Sequence, residues 1–492
     1  MAHGNWVYVM PELAFLPAVS LAAKIRAREL SCTEMLDYFV ARYRKHHEAL
    51  NAIIWTDLDR AAARAKEADR KIAEGVALGP LHGVPMTVKE CFALEGSPAT
   101  FGVPKLRNNY ATQNALAVDR LLNAGANIFG KTNVPPWLVD GQSDNEIYGR
   151  TNNPWNLDRS PGGSSGGAAA AVAAGITGVE LGTDIASSIR NPAHYCGVFG
   201  HKPTWGICPK RGTSHDDAIA EPDISVLGPL ARSADDLALV LGIVAGPDEI
   251  DGVGYRLELP ESGPKELRDF RVALIADDPV GQIDAEVGDQ LEALAKFLER
   301  EGTKLTRDAR PEIPSQEIFR VFMTMVRAAT STRLTDDEFA QAAERARGLD
   351  KKRTDMGAFA LHGNAMTHRD WHLMNEERHR FRRKWHEFFK DFDVVLCPPF
   401  ATAAPPHSKE PVATRQVTIN GKPQLLSYQL FWAGLSGLTL LPSSVAPIGL
   451  TPEGLPVGVQ IIAAQYRDLT SIHFACLLER HYRAFVPPPG YI

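Results

Sequence analysis

The chain has 492 residues, of which 44% are hydrophobic and 23% charged, an ordinary globular composition with enough apolar material for a large core. A net charge of −6 supplies no basic field for nucleic acid or an acidic membrane, and no apolar run approaches the roughly 18 residues of a transmembrane helix. Six cysteines without CxxC spacing read as reduced, buried thiols, so a cytoplasmic enzyme acting on a small uncharged substrate is the simplest expectation.

Residues 1–6 lack the basic region, apolar core and small-residue cleavage site of a secretion signal. Apolar positions at helical spacing over 16–44, with Ser31 and Thr33 as start signals for a second helix, predict a helical N-terminal segment over about 12–48. Residues 50–55 read as a strand, 58–75 as an Ala-rich amphipathic helix, and 83–88 as a strand that ends at Lys89. A helix over 114–124 and a short buried strand over 126–130 follow, with Lys131 next, so the order is α/β. Residues 135–156 are rich in Asn, Gly, Asp and Pro and too long for a plain connector; they are expected to wall a substrate site.

Gly162, Gly163, Gly166 and Gly167 then bracket Ser164 and Ser165, a pattern that suits unusual backbone angles and close approach of main chain to a ligand. Residues 168–175 are nearly all small and favour a tightly packed helix, and 178–182 read as a strand that delivers Ser188 beyond its end. A hydroxyl is a poor nucleophile until a positioned base takes its proton. No histidine lies in either loop. A lysine serves if burial depresses its pKa, and Lys89, at the end of an apolar strand, is placed for that; Lys131 is a rival at a second strand end.

Residues 162–168 and 184–193, with Lys89 upstream and Ser164 and Ser188 separated by 24 positions, resemble the amidase signature family of serine hydrolases. The resemblance implies one domain over 1–492 of α/β class: a large mixed, twisted β-sheet covered by helices on both faces, with a variable helical substrate-pocket region at about 313–390. It implies a Ser-Ser-Lys triad in which Ser188 is the nucleophile, Ser164 the bridging serine in a cis peptide with Gly163, and Lys89 the base. Ser165 would support the network, and the amides of Ile185, Ala186, Ser187 and Ser188 would form the oxyanion hole. Asp184 and Arg190 flank the nucleophile as substrate-recognition charges or, the reading preferred, as a buried pair holding the loop. Many members carry Gly-Gly where this chain has Ala186-Ser187, and a positive φ at 187 would cost on the order of 1 kcal/mol. No cofactor and no metal is implied, activity should rise toward alkaline pH, and members are often homodimers.

Further on, 208–230 lacks periodicity and reads as a loop, and 247–265 as a surface connector. A strand over 270–275 and a helix over 283–301 resume the pattern. Residues 313–331 hold more Met, Phe and Val than one helical face requires, either core or the lining for a bulky acyl group. His368, His372, His379 and His386 share a helical face, but without an HExxH motif and among arginines they read as a solvated or capping face rather than a zinc site. Strands are expected over 393–399, 437–441 and 454–462, then a terminal helix over 469–482.

The implied reaction is hydrolysis of a C–N bond of a small carboxamide, aryl amides and carbamates included, through a Ser188 acyl-enzyme. Two alternatives stand beside it: the A-type subunit of a tRNA-dependent amidotransferase, and a ligand-binding member disabled at Ala186-Ser187. A phosphate-binding loop is weak because residues 162–167 lack both the P-loop ending and the GxGxxG order. A nitrilase-like Cys91 lacks a matching glutamate and lysine.

Overall fold

The computed structural model describes residues 11–214, 218–350 and 353–492, so the reading of residues 1–6 lies outside the described residues. Helices Ala18–Arg26 and Cys32–Leu50 form the N-terminal segment; Ser31 starts the second through a capping box, its hydroxyl accepting from the Glu34 amide while Glu34 reaches back to the Ser31 amide. Asp57 caps the amphipathic helix Leu58–Ala73 by accepting from the Arg60 amide.

The core is an 11-stranded mixed sheet. Its strands in chain order are β1 (Ile53–Thr56), β2 (Pro85–Lys89), β3 (Asn127–Thr132), β4 (Glu180–Asp184), β5 (Phe199–Lys202), β6 (Val226–Ala231), β7 (Arg271–Leu274), β8 (Lys304–Arg307), β9 (Val394–Cys397), β10 (Ser443–Leu450) and β11 (Pro456–Ala463). In space they run β1-β3-β2-β4-β6-β5-β10-β11-β9-β7-β8. β2 lies parallel to both β3 and β4, whereas β4 meets β6 antiparallel. Lys89 and Asp184 therefore end neighbouring parallel strands on the same edge, where ligands of open α/β sheets gather. Helices cover the faces; Gly166–Ala173 is buried at every position, its alanines allowing backbone-close packing onto β4 and β6.

Two expectations fail. Residues 208–230 are not loop throughout, because their end opens the central strand β6. Gly228-Pro229 breaks the apolar signal there, and a Cβ at Gly228 would stand 2.2 Å from the His201 carbonyl, so the interruption is a demand of close strand approach. Residues 437–441 are not a strand: they finish helix Leu430–Gly437 and turn, and the strand begins at Ser443. A short apolar run fits either state, and here Gly434 and Gly437 press against the Phe322 ring, a helix-packing contact.

Candidate active site

β2 delivers Lys89 into a fully buried position, where its ammonium donates to Ser164 Oγ at 2.7 Å, Thr183 Oγ1 at 2.8 Å and Ser165 Oγ at 2.9 Å. No carboxylate is hydrogen-bonded to it among the described residues. Burial disfavours the charged form and pulls its pKa down to about 8, so the amine is substantially neutral in mildly alkaline solution. Lys131 is as buried and also pulled to about 8, but it donates to Ser97 Oγ at 3.1 Å and to the Pro98 carbonyl. Direction, not pKa, separates the two lysines.

The Gly163–Ser164 peptide bond is cis. Asn191 clamps this turn, its side chain accepting from the Gly163 amide at 3.1 Å and donating to the Gly163 carbonyl at 2.8 Å. Gly162 sits at φ +89°, and a Cβ there would meet the same Asn191 side chain at 2.5 Å; a Cβ on Gly163 would stand 2.2 Å from the Asp140 carbonyl. The Ser165 amide donates to the Ser188 carbonyl at 3.1 Å, tying the glycine loop to the loop beyond β4.

That second loop is built around Asp184 and Arg190, both fully buried. Arg190 Nη2 and Nε reach Asp184 Oδ1 and Oδ2 at 2.9 and 3.0 Å, and its other nitrogen donates to the Ala433 carbonyl, Ser436 and Gln460. Burial would raise the Asp184 pKa, but the Arg190 charge overrides it and holds the carboxyl down at about 2. The side-chain polar atoms of the pair are engaged inside the protein.

Asp184 also decides which amides are available. Its Oδ1 accepts from the Ser187 amide at 2.9 Å and its Oδ2 from the Ile189 amide at 3.0 Å. The expected oxyanion set of Ile185, Ala186, Ser187 and Ser188 thus loses Ser187, whose N–H is committed to the carboxylate. Among the described residues the amides of Ile185, Ala186 and Ser188 have no protein acceptor, nor has the Ser188 hydroxyl. Ser187 adopts φ +84°, the left-handed region that favours glycine.

Ser188, Ile185, Ala186 and Gly163 open onto a cavity of about 240 Å³. Leu138 to Gly141, from the loop expected to wall the site, form one side; Met323 and Val326 of helix Ser315–Thr330 form another. The apolar run over 313–331 is therefore divided: Phe319 stacks on Tyr428 and Phe322 packs on Gly434, while Met323 and Val326 face the cavity. Thr183 and Asn191 were not singled out in the sequence; Asn191 lies inside the second recognised stretch, and Thr183 on β4 one residue before it, which is the only local signal for them. Cys91 is buried, and desolvation raises its thiol pKa, the reverse of an activated nucleophile. His368 and His372 face each other through Nε2 atoms 3.0 Å apart, and no cluster of three or more His, Cys, Asp or Glu suited to a metal occurs among the described residues.

The Amidase family profile matches residues 34–471. The chain belongs to the amidase signature family. It is 35% identical to an acylamidase of Rhodococcus erythropolis, with 95% of each chain covered, and 34% identical to an indoleacetamide hydrolase of Bradyrhizobium diazoefficiens, with 94% and 86% covered. A bacterial aryl acylamidase of the amidase signature enzymes has the same fold, with TM-score 0.79 and 24% identity over 95% of this chain and 96% of its own. This amidase acts on carbon–nitrogen bonds other than peptide bonds.

Proposed function

We propose that the amidase hydrolyses small carboxamides, aryl amides among them, through an acyl-enzyme on Ser188. The observation that carries this is the Lys89 amine, buried, free of a carboxylate partner and 2.7 Å from Ser164 Oγ. Neutral Lys89 takes a proton from Ser164, which takes one from Ser188 once bound substrate turns the Ser188 hydroxyl, without a protein acceptor among the described residues, toward Ser164 as Ser188 Oγ attacks the carbonyl. Charge developing on the carbonyl oxygen meets the amides of Ile185, Ala186 and Ser188, each such donor being worth on the order of 3 kcal/mol in a hydrolase. Ser164 passes its proton to the departing nitrogen, and water repeats the sequence on the acyl-enzyme. Ser165 and Thr183 hold Lys89 in place, and Asp184 with Arg190 holds the loop.

Similarity to amidotransferase A subunits leaves the partner-dependent alternative open to test, but the acylamidase and indoleacetamide hydrolase matches favour a free hydrolase. An inactive ligand-binding member is disfavoured because Asp184 holds only the Ser187 amide of the four, leaving those of Ile185, Ala186 and Ser188 without a protein acceptor among the described residues. We further take the chain as one domain over 1–492, since a single sheet draws strands from Ile53 to Ala463. A cytoplasmic setting is supported by six unpaired, buried cysteines. No helix is long and apolar enough to cross a membrane among the described residues. The homodimer rests on family resemblance and is checked by light scattering.

Reaction with a serine-directed fluorophosphonate, mapped by peptide mass spectrometry, tests the assignment. Label on Ser188 that disappears in Ser188→Ala and Lys89→Ala supports it; folded wild-type protein that takes no label removes it.

A further inference from the structure

Three charged residues line the Ser188 cavity: Asp140, Arg327 and Arg333. Asp140 is already neutralised, because both its carboxylate oxygens accept from Arg415, Oδ2 at 2.9 Å. Arg333 donates one nitrogen to the Trp137 carbonyl at 2.6 Å and meets no carboxylate among the described residues. Arg327 has neither hydrogen bond nor ion pair from its guanidinium among the described residues. It lies one turn beyond Met323 on the cavity-facing side of helix Ser315–Thr330, with Val326 and Thr330. Burial alone lowers its affinity for its proton, with no acidic group to compensate.

A guanidinium half withdrawn from water without an acceptor is costly, whereas one that meets a planar anion forms short, paired, charge-assisted bonds. Elsewhere in this chain Arg190 is met by Asp184 and three further acceptors and Arg42 by backbone carbonyls, and the two terminal nitrogens of Arg232 also donate to carbonyls although its Nε has no partner. Arg327, with no carboxylate or carbonyl acceptor among the described residues, lines the same cavity as Ser188. Apolar side chains beside it, Met323, Val326 and Leu430 among them, lower the local polarity and so strengthen its attraction for an anion.

We propose that this cavity selects amides carrying a carboxylate, which Arg327 binds with Arg333 alongside. The inference rests on Ser188 as the nucleophile, since that places the scissile bond in the same cavity. It also departs from the uncharged substrate that the net charge of −6 suggests, because the whole-chain sum says nothing of the sign inside one cavity.

The test compares three ligands: pentananilide, glutaric acid monoanilide with a carboxylate on the acyl chain, and pentanoyl-4-aminobenzoate with a carboxylate on the leaving side. Binding to Ser188→Ala is measured by calorimetry, and turnover by wild type is measured separately. One carboxylated ligand should bind about tenfold to a hundredfold tighter than pentananilide, the range for hydrogen bonds to a charged group. Adding Arg327→Met should collapse that ratio, and Arg327→Lys should restore part of it. Equal binding of all three ligands, or a ratio indifferent to both Arg327 substitutions, overturns the proposal. Selective binding without turnover of any of the three by wild type would instead count against Ser188 as nucleophile and leave the anion site standing.

Discussion

Lys89 Nζ lies 2.7 Å from Ser164 Oγ although 75 residues separate them in the chain, and the contact is fully buried. As the proposed base Lys89 must be neutral to accept a proton, and burial lowers its pKa to about 8. Activity is therefore lost as pH falls below about 8 and levels off above it. A kcat/KM profile on a neutral anilide should show one ascending limb; a profile flat from pH 6 to 9, roughly the window about that pKa, would remove Lys89 as the base.

Lys89→Met should lower kcat by about 10²–10⁴-fold, the usual share of a general base. Lys131→Met should keep both the rate and the ascending limb while losing stability, because Ser97 and the Pro98 carbonyl lose a buried donor. Parallel rate and urea-denaturation measurements on the two variants separate catalysis from structure.

Arg190→Met leaves the Asp184 carboxylate buried without its cation and should destabilise the fold by about 3–5 kcal/mol. The double change Asp184→Asn with Arg190→Met should cost less than the two single changes added together, a coupling that denaturant titration resolves.

Ser187→Gly should stabilise by about 1 kcal/mol, because φ +84° penalises a Cβ. The Ser187 hydroxyl is buried without a partner, so its removal forfeits no hydrogen bond. The amide that Asp184 holds is retained, and fluorophosphonate labelling of Ser188 should persist. A lower melting temperature would contradict this account.

Gly163→Ala would drive a methyl group to 2.2 Å from the Asp140 carbonyl, on the wall of the cavity. Overpacking of this kind costs about 1–3 kcal/mol or displaces the glycine loop. Ser188 labelling should fall even at temperatures where circular dichroism shows the protein folded.

The glycine-rich loop, the strand before Lys89 and the small-residue helix were legible in the chain, because each depends on local backbone demands: room for main chain, an apolar run, a cap. Ser164, Ser188 and Lys89 could be named on that basis and by family resemblance. The sequence could not choose physically between Lys89 and Lys131, since both end buried strands and both lose charge to the same desolvation. Only the parallel pairing of β2 with β4 aims one lysine at the serines and leaves the other on Pro98. Likewise, the four amides from Ile185 to Ser188 look alike in one dimension, and the fold removes Ser187 by turning it onto Asp184. Strand β6 was hidden by Gly228-Pro229, of which Gly228 answers a neighbouring strand rather than a local preference. Local steric and apolar signals act over a few residues and are written in the sequence. Hydrogen-bond direction and the unpaired charge of Arg327 depend on atoms brought together from distant segments, which only the tertiary structure determines.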